Sequence, residues 1–317
     1  MSKYIDLLTD FSFKRIFGAE PNRDLLIDFL NEVFRGQKEI TDLVYNKNEH
    51  PGDRPGEGGA IFDLLCTGSD GERFIIELQR GKQEYFKQRA LFYTSRLISE
   101  QAPKGRRSEW AYNISGVYLI ALLEDFVLED SLEDEYLHDI CLCNRQTGKI
   151  FYDDLGYTYI ELRKFVKTEA ELKTGLDRWL FVLKYMSTMD KIPVFLRKPI
   201  FEKLFGIAEY ANLTKEEKMM YDSSVKYKWD NKNVLDYARK EGIEEGIEKG
   251  RKEGIEKGRK EGVEEGRKEG IEEGRQEAMY AFLANLISKL GLSDEQAADV
   301  AGVPVDYVAK VRADLKK

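Results

Sequence analysis

Two acidic residues in a short apolar hairpin are the side chains of this sequence best suited to metal chemistry. Asp63 lies in the run Ile61–Cys66 and Glu77 in the run Arg73–Gln79, among isoleucine, leucine and phenylalanine. Carboxylates are costly to bury in such surroundings unless a partner compensates them. Mg²⁺ is one such partner, because proteins bind it through one or two carboxylates together with waters and substrate phosphates. From the hairpin alone, an exposed acidic pair at a strand end is the simpler interpretation.

The hairpin is predicted by two β-favouring runs joined by a glycine-containing turn at residues 68–71. Side chains alternate along a strand, so Glu77 and Gln79 are expected on one face and Leu78 on the other. The acidic pair would then be presented together with the amide of Gln79.

The elements around the hairpin predict a mixed α/β core with flanking helices. A short helix is expected over Asp10–Phe17, with Asp10 as its N-cap. Hydrophobic spacing predicts further helices over Asn22–Phe34 and Gln83–Glu100, and strands over Ile40–Tyr45, Gly116–Leu123 and Leu137–Cys143. From Thr158 to about residue 238, aromatic residues at helical spacing predict a helical extension packed on this core.

The net charge of −8 conceals a local basic segment directly after the hairpin. Eight basic residues lie between Arg80 and Arg107, against only Glu84 and Glu100. Such a patch can neutralise phosphates whatever the charge of the whole chain. The alternative is a solvated helix face, and charge alone does not decide between the two.

The order and spacing of several motifs make the chain similar to the PD-(D/E)XK nuclease superfamily, and more closely to its Rpn-type branch of recombination-promoting nucleases and transposases. The motifs are Asp10-Phe11-Ser12-Phe13-Lys14, Phe62-Asp63, Ile76-Glu77-Leu78-Gln79, the helical residues Phe86, Arg89 and Tyr93, and the run Val117–Ile120 with Leu122, Leu123 and Phe126. The resemblance covers roughly residues 1–165, and the C-terminal glycine repeats also resemble this branch. It implies a restriction-endonuclease-like mixed sheet flanked by helices.

The resemblance also implies roles for individual residues. Asp63 and Glu77 would bind Mg²⁺, and Gln79 would stand where the superfamily usually has a lysine. An amide can hold a water or a phosphate oxygen, but it supplies neither positive charge nor a titrating proton. The missing charge, and contacts to DNA phosphates, could come from four cations: Lys14, Arg80, Lys82 and Arg89. For Lys14, a solvated lysine on a short helix is an equally good interpretation.

Two functions follow from this pattern. The first is a Mg²⁺-dependent DNA endonuclease connected with recombination or transposon-like elements, which the intact Asp63/Glu77 pair beside a basic helix favours. The second is a catalytically inactive DNA-binding or oligomeric assembly protein that retains the nuclease fold. Gln79, the acidic net charge and the repetitive tail favour the second.

The C-terminal region changes character at the glycine repeats. Residues 246–277 form four octads of the type Gly-Ile-Glu-Lys-Gly-Arg-Lys-Glu, and with Gly242 a glycine recurs at every fourth position up to Gly274. Each glycine weakens a helix by about 1 kcal/mol relative to alanine, so an isolated helix should be marginal. We therefore expect a solvated spacer that is helical in part, with close glycine-face packing in a homo-oligomer as the alternative.

The sequence predicts four segments. They are a nuclease-like core at residues 1–165, a helical extension at 166–240, a glycine-repeat spacer at 241–277 and a small helical element at 278–317. The last element has two short helices around a glycine turn. It is interpreted as a packing or oligomerisation element, with a DNA-reading helix-turn-helix as the alternative.

The expected location is the cytoplasm. Residues 1–6 become charged before an apolar segment could form, so no signal peptide is expected. The longest apolar run, Val117–Leu123, is too short to cross a bilayer, so no membrane partner is expected. The three cysteines do not form a disulfide framework, as is typical of a reducing compartment.

Overall fold

A six-stranded mixed sheet is the centre of the computed structural model, which describes residues 2–50, 60–81, 83–102, 112–129 and 131–316. The strands are β1 (Leu43–Tyr45), β2 (Glu49–His50), β3 (Ala60–Ile61), β4 (Leu64–Gly68), β5 (Arg73–Gln79), β6 (Val117–Leu123), β7 (Leu137–Cys143) and β8 (Ile150–Glu161). The sheet order is β1-β4-β5-β6-β8-β7, and β2 and β3 form a separate antiparallel pair.

Strand β6 is the middle of the sheet and is buried along its whole length. It pairs in parallel with β5 on one side, through Glu77↔Ala121, and with β8 on the other, through Leu123↔Glu161. The outer pairs β1/β4, β4/β5 and β7/β8 are antiparallel. A continuous apolar strand covered on both faces is the pattern expected of parallel strands between helices.

Eight α-helices accompany the sheet in the part of the chain that the structure describes. They are α1 (Asp10–Phe17), α2 (Arg23–Val33), α3 (Phe86–Ser99), α4 (Gly175–Tyr185), α5 (Pro199–Ala208), α6 (Lys215–Leu290), α7 (Asp294–Ala301) and α8 (Val305–Asp314). The larger core cluster packs α1, α2, α4 and α5 on one face of the sheet, around the fully buried Trp179. The smaller cluster packs α3 on the other face through Phe86, Ala90 and Leu97.

Most sequence-predicted elements are present, with two differences. Thr9, not Asp10, caps α1, because the Thr9 side chain accepts the N–H of Ser12. Strand β8 was not predicted, and its end at residues 158–161 was assigned to the helical extension. Tyr157 and Tyr159 point to the smaller core cluster and alternate with residues of the opposite face, so period-two burial, not helical spacing, governs this segment.

The chain forms two compact units, Met1–Leu235 and Asp236–Lys317. In the first, the helices after Phe165 share one hydrophobic core with α1 and α2. In the second, the end of α6 packs with α7 and α8 around Leu283, Ala297 and Val308. Gly302 ends α7 with a φ of 65°. The division into four segments remains a prediction.

The glycine repeats lie within the continuous helix α6. Ion pairs at i,i+4 spacing include Glu248–Lys252, Glu256–Lys260 and Glu264–Lys268. They connect successive turns on the exposed surface. A Cβ atom added at any glycine from Gly242 to Gly274 would meet nothing within 4 Å. Among the described residues, no helix is both long and apolar enough to span a membrane.

Candidate active site

Asp63 lies in the short gap between β3 and β4, one residue before the β4–β5 ladder begins. Its Oδ2 accepts a hydrogen bond from the backbone N–H of Leu78 at 2.8 Å, and its own backbone N–H lies 3.4 Å from Glu77 Oε1. The carboxylate therefore accepts the N–H that a neighbouring strand carbonyl would otherwise take. Asp63 was predicted to be part of the first hairpin strand, but β4 begins one residue later, at Leu64. The hydrogen bond from Leu78 to the Asp63 side chain replaces a ladder bond at this position.

Glu77 and Gln79 share one face of β5, as the alternation of side chains requires. Their exposed fractions are only 9% and 7%. Leu78, between them, packs against the larger core cluster on the opposite face. The buried strand β6 lies alongside and places Ala121 opposite Glu77. The strand thus carries a carboxylate and an amide into an environment from which water is largely excluded.

Both carboxyls of the pair lose their protons less readily than free carboxyls. Burial, and then the charge of Asp63, raise the pKa of Glu77 to about 8. Burial also raises the pKa of Asp63, although the hydrogen bond from Leu78 and the charges of Lys14 and Arg89 oppose this. Near neutral pH the pair therefore retains a proton, unless a cation binds and takes its place.

Arg89 is held beside this pair by Gln79. Helix α3 places the Arg89 guanidinium so that Nη2 donates to Gln79 Oε1 at 2.5 Å, and Nη1 donates to Gln83. The Nε2 of Gln79 donates to the carbonyl of Gly81 at 2.9 Å. Both ends of the Gln79 amide are therefore engaged. In this arrangement Gln79 carries no charge itself but orients the positively charged side chain of Arg89.

The other predicted cations are distributed unevenly around the pair. Lys14, exposed on α1, forms an ion pair with Asp10 at 3.0 Å. Arg80 is half-buried, and among the described residues its side chain makes no ion pair. Lys82 lies outside the described residues. Lys14, Arg80 and Arg89 all line the same cleft as the carboxylates.

This cleft has a volume of about 1490 Å³ and two walls of different character. One wall carries Asp63, Glu77 and the three cations. The other is formed by α6 between Glu217 and Leu235, including Met220 and Tyr227. These α6 residues were not predicted to belong to a site. Apolar residues at seven-residue spacing, on a helix without a matching buried partner, were the signal that could have identified them.

Asp63 and the Glu-x-Gln segment of β5, which belong to the motifs of the family resemblance, lie together in a mixed sheet between helices. A family model for PD-(D/E)XK nuclease family transposases matches residues 7–238. The chain belongs to this family. The match extends well beyond the expected residues 1–165 and includes the α6 wall of the cleft. No curated protein and no solved structure matches the chain.

The family membership confirms the predicted fold class, and the six-stranded mixed sheet with helices on both faces is consistent with a restriction-endonuclease-like fold. PD-(D/E)XK nucleases generally depend on a divalent metal, and the donors of this member fit one. Asp63 and Glu77 offer hard oxygen ligands whose mutual repulsion a cation would relieve. Within the described residues, no group of three or more His, Cys, Asp or Glu side chains is placed so that it could hold a metal ion.

Proposed function

We propose that the protein is a Mg²⁺-dependent DNA endonuclease that hydrolyses phosphodiester bonds and acts in recombination or in the movement of transposon-like elements. The observation that carries the proposal is the Asp63/Glu77 pair in the cleft, where burial raises the pKa of both carboxyls and the charge of Asp63 raises that of Glu77 further. Such perturbed carboxylates are typical of functional sites. Family membership supports the nuclease class.

The two carboxylates and the residues around them have different roles in the proposed reaction. Asp63 and Glu77 would hold Mg²⁺, which lowers the pKa of a bound water and stabilises charge on the scissile phosphate. Arg89 supplies the positive charge that the superfamily usually takes from lysine, and Gln79 keeps its guanidinium in place. Arg80 and Lys14 extend this positive charge along the cleft, where a DNA backbone would lie.

The test is cleavage of a supercoiled plasmid with Mg²⁺ by the wild-type chain, Asp63→Ala and Glu77→Ala. We expect the wild type to nick the plasmid and both substitutions to abolish nicking. Asp70→Ala is the matched control, because Asp70 is exposed in the turn of the same hairpin. Cleavage that survives both substitutions would exclude this pair as the catalytic site.

A catalytically inactive DNA-binding or assembly protein is the second candidate. One observation favours it: the Gln79 amide is fully engaged by Arg89 and Gly81, so it is not free to hold a water or a phosphate oxygen. A folded wild-type chain that binds DNA but does not cleave it with Mg²⁺ or Mn²⁺ would support this function.

We also propose that the tail forms a homo-oligomer. The isoleucine and valine side chains of the octads are exposed on α6, and the glycines leave its backbone open to close approach by a second helix. Sedimentation of the full chain and of a chain lacking residues 246–277 would test this. The same number of chains per particle in the two samples would contradict it.

A further inference from the structure

The first turns of α6 carry an apolar stripe that faces the cleft and remains uncovered. Met220, Tyr227 and Val234 recur at seven-residue spacing, and all three line the cleft. Their exposed fractions are 60%, 64% and 66%. Met219 and Leu235 extend the same wall. Large apolar side chains grouped on one wall of a cleft indicate a binding surface, because scattered single residues would not form one.

This wall is fixed to the nuclease unit. Arg15 of α1 forms an ion pair with Glu217, and Lys228 bridges Asp6 at 2.8 Å and Glu124 at 2.5 Å. At the far end, Leu235 approaches Gly81 so closely that a Cβ at this glycine would lie 3.0 Å from its side chain. The stripe is therefore held in place along the same cleft as the carboxylates.

The facing wall is suited to phosphates. Arg80 and Arg89 lie there with the candidate metal ligands Asp63 and Glu77. Of the described cations that line the cleft, Lys14 pairs with Asp10 and Arg15 with Glu217, which leaves Arg80 and Arg89 to meet an anionic ligand. The cleft thus combines charged side chains with the exposed apolar side chains of α6.

We propose that the ligand of this cleft is an unpaired DNA strand, with its phosphates toward Arg80, Arg89 and the carboxylates and its bases against Met220 and Tyr227. This inference rests on the proposed nuclease function and specifies its substrate. Single strands bind where a positively charged groove follows the backbone and aromatic side chains stack on successive bases.

A duplex fits this cleft less well for a physical reason. Its bases are paired inside the helix and its outer surface is sugar and phosphate, so the apolar wall would be desolvated without a matching partner. An unpaired strand exposes phosphate on one side and base faces on the other, which matches both walls. Single-stranded ends, gaps or flaps would supply such a strand.

The first experiment measures binding of a fluorescent strand of about 20 nucleotides, and of the same sequence as a blunt duplex, by anisotropy. The full-length Glu77→Gln variant is used, so that hydrolysis does not consume the probe. We expect the strand to bind at least about tenfold more tightly than the duplex. Adding Tyr227→Ser or Met220→Ser should weaken strand binding by about tenfold, because the bases lose a side chain against which they pack.

Trp229→Ser is the matched control. Trp229 lies on the same helix with an exposed fraction of 65%, but it does not line the cleft. Equal effects of Tyr227→Ser and Trp229→Ser, or a duplex bound as tightly as the strand, would overturn the inference. Circular dichroism of each variant establishes that the fold is retained, and Met220→Ser provides an independent reading if Tyr227→Ser is misfolded.

The second experiment compares cleavage of the two probes by the otherwise wild-type chain with Mg²⁺. Faster cleavage of the strand, reduced by Tyr227→Ser, is expected. If neither probe is cleaved but the strand is still bound selectively, the nuclease function fails and the strand-binding cleft stands. If the duplex is cleaved faster and Tyr227→Ser has no effect, the nuclease function stands and the strand assignment is wrong.

Discussion

Glu77 holds its proton up to a higher pH in the folded protein than in the unfolded chain, and this links the site to stability. Its ordinary pKa of 4.5 rises to about 8 on folding. Between these values the unfolded state has released the proton and the native state has kept it. The free energy of unfolding contributed by this group therefore falls as pH rises through this window, and changes no further above it.

We expect the metal-free protein to lose stability between pH 5 and pH 8, and Glu77→Gln to reduce this loss. A difference of one in pKa corresponds to about 1.4 kcal/mol, which urea denaturation resolves. Mg²⁺ should restore stability, and more strongly at pH 8 than at pH 5, because binding requires the ionised carboxylate. Asp70→Asn is the control on the same hairpin. An unchanged pH dependence in Glu77→Gln would show that this carboxyl is not the group responsible.

Arg89 is expected to act on both carboxylates through its charge. Its removal in Arg89→Met should raise the pKa of Glu77 and Asp63 further, because the guanidinium lowers both. Plasmid cleavage should fall by about 10²–10³-fold and its pH optimum should move upward. Arg89→Lys should restore part of the rate but not the paired contacts to Gln79 and Gln83. Gln88→Met, on the exposed face of α3, should change neither the rate of plasmid cleavage nor its pH optimum.

At the scale of elements, the site depends on where strands stop. Strand β4 starts only at Leu64, so Asp63 can offer its carboxylate to the β5 backbone in place of a ladder carbonyl. On the other side of the cleft, α6 is fixed by Lys228, which bridges the half-buried Asp6 and the more deeply buried Glu124. Burial raises the pKa of Glu124 and Lys228 opposes this, so the cation compensates a charge that would otherwise be costly.

Lys228→Met should lower the free energy of unfolding by about 1–3 kcal/mol, because it leaves two carboxylates without their cation. Adding Glu124→Gln should recover part of the loss. Urea denaturation of the single and double variants measures both effects. Lys226→Met, at an exposed position on the same helix, is the matched control. An equal loss in both lysine variants would mean that the bridge does not stabilise α6.

Local patterns were sufficient to predict β5 and β7 at their observed bounds, and β6 to within one residue. These strands have continuous or alternating apolar residues and are bounded by glycine or polar turns. Strand β8 was missed although β7 lies just before it across a short turn, because the parallel pairing of β8 with β6 is not local in sequence. The α6 wall was missed for the same reason. Its residues acquire a role only when the chain brings them into one cleft with Asp63 and Glu77, which no local pattern encodes.

At the scale of the whole molecule, the match to the nuclease family ends at residue 238, close to the boundary between the two compact units. We expect a chain ending at Ala238 to fold, to keep a melting temperature within a few degrees of the full chain and to cleave plasmid DNA. Calorimetry and the plasmid assay measure this. An unfolded or aggregated product would show that residues 239–317 are needed by the nuclease unit.

The glycines of the octads should limit the stability of the repeat helix. Replacing Gly250, Gly258 and Gly266 by alanine places no Cβ in contact with another atom. Each change should stabilise the helix by about 1 kcal/mol. In circular dichroism at about 222 nm, the helical signal should then persist to a higher temperature. If the glycines also admit a second helix, the same variants should dissociate more readily in sedimentation. Destabilised helices would instead mean that the repeat requires its glycines for another conformation.

The N-terminal residues pair with a segment made more than 200 residues later. Tyr4 bridges Glu209, and Ile5 donates its N–H to the carbonyl of Ala208 at 2.9 Å. Helix α1, which carries Lys14, follows directly. During synthesis this closure cannot form until the ribosome has released residue 210, and such distant contacts form slowly. The nascent chain therefore stays without a completed cleft for most of its translation, so a nuclease activity would emerge only with the finished unit.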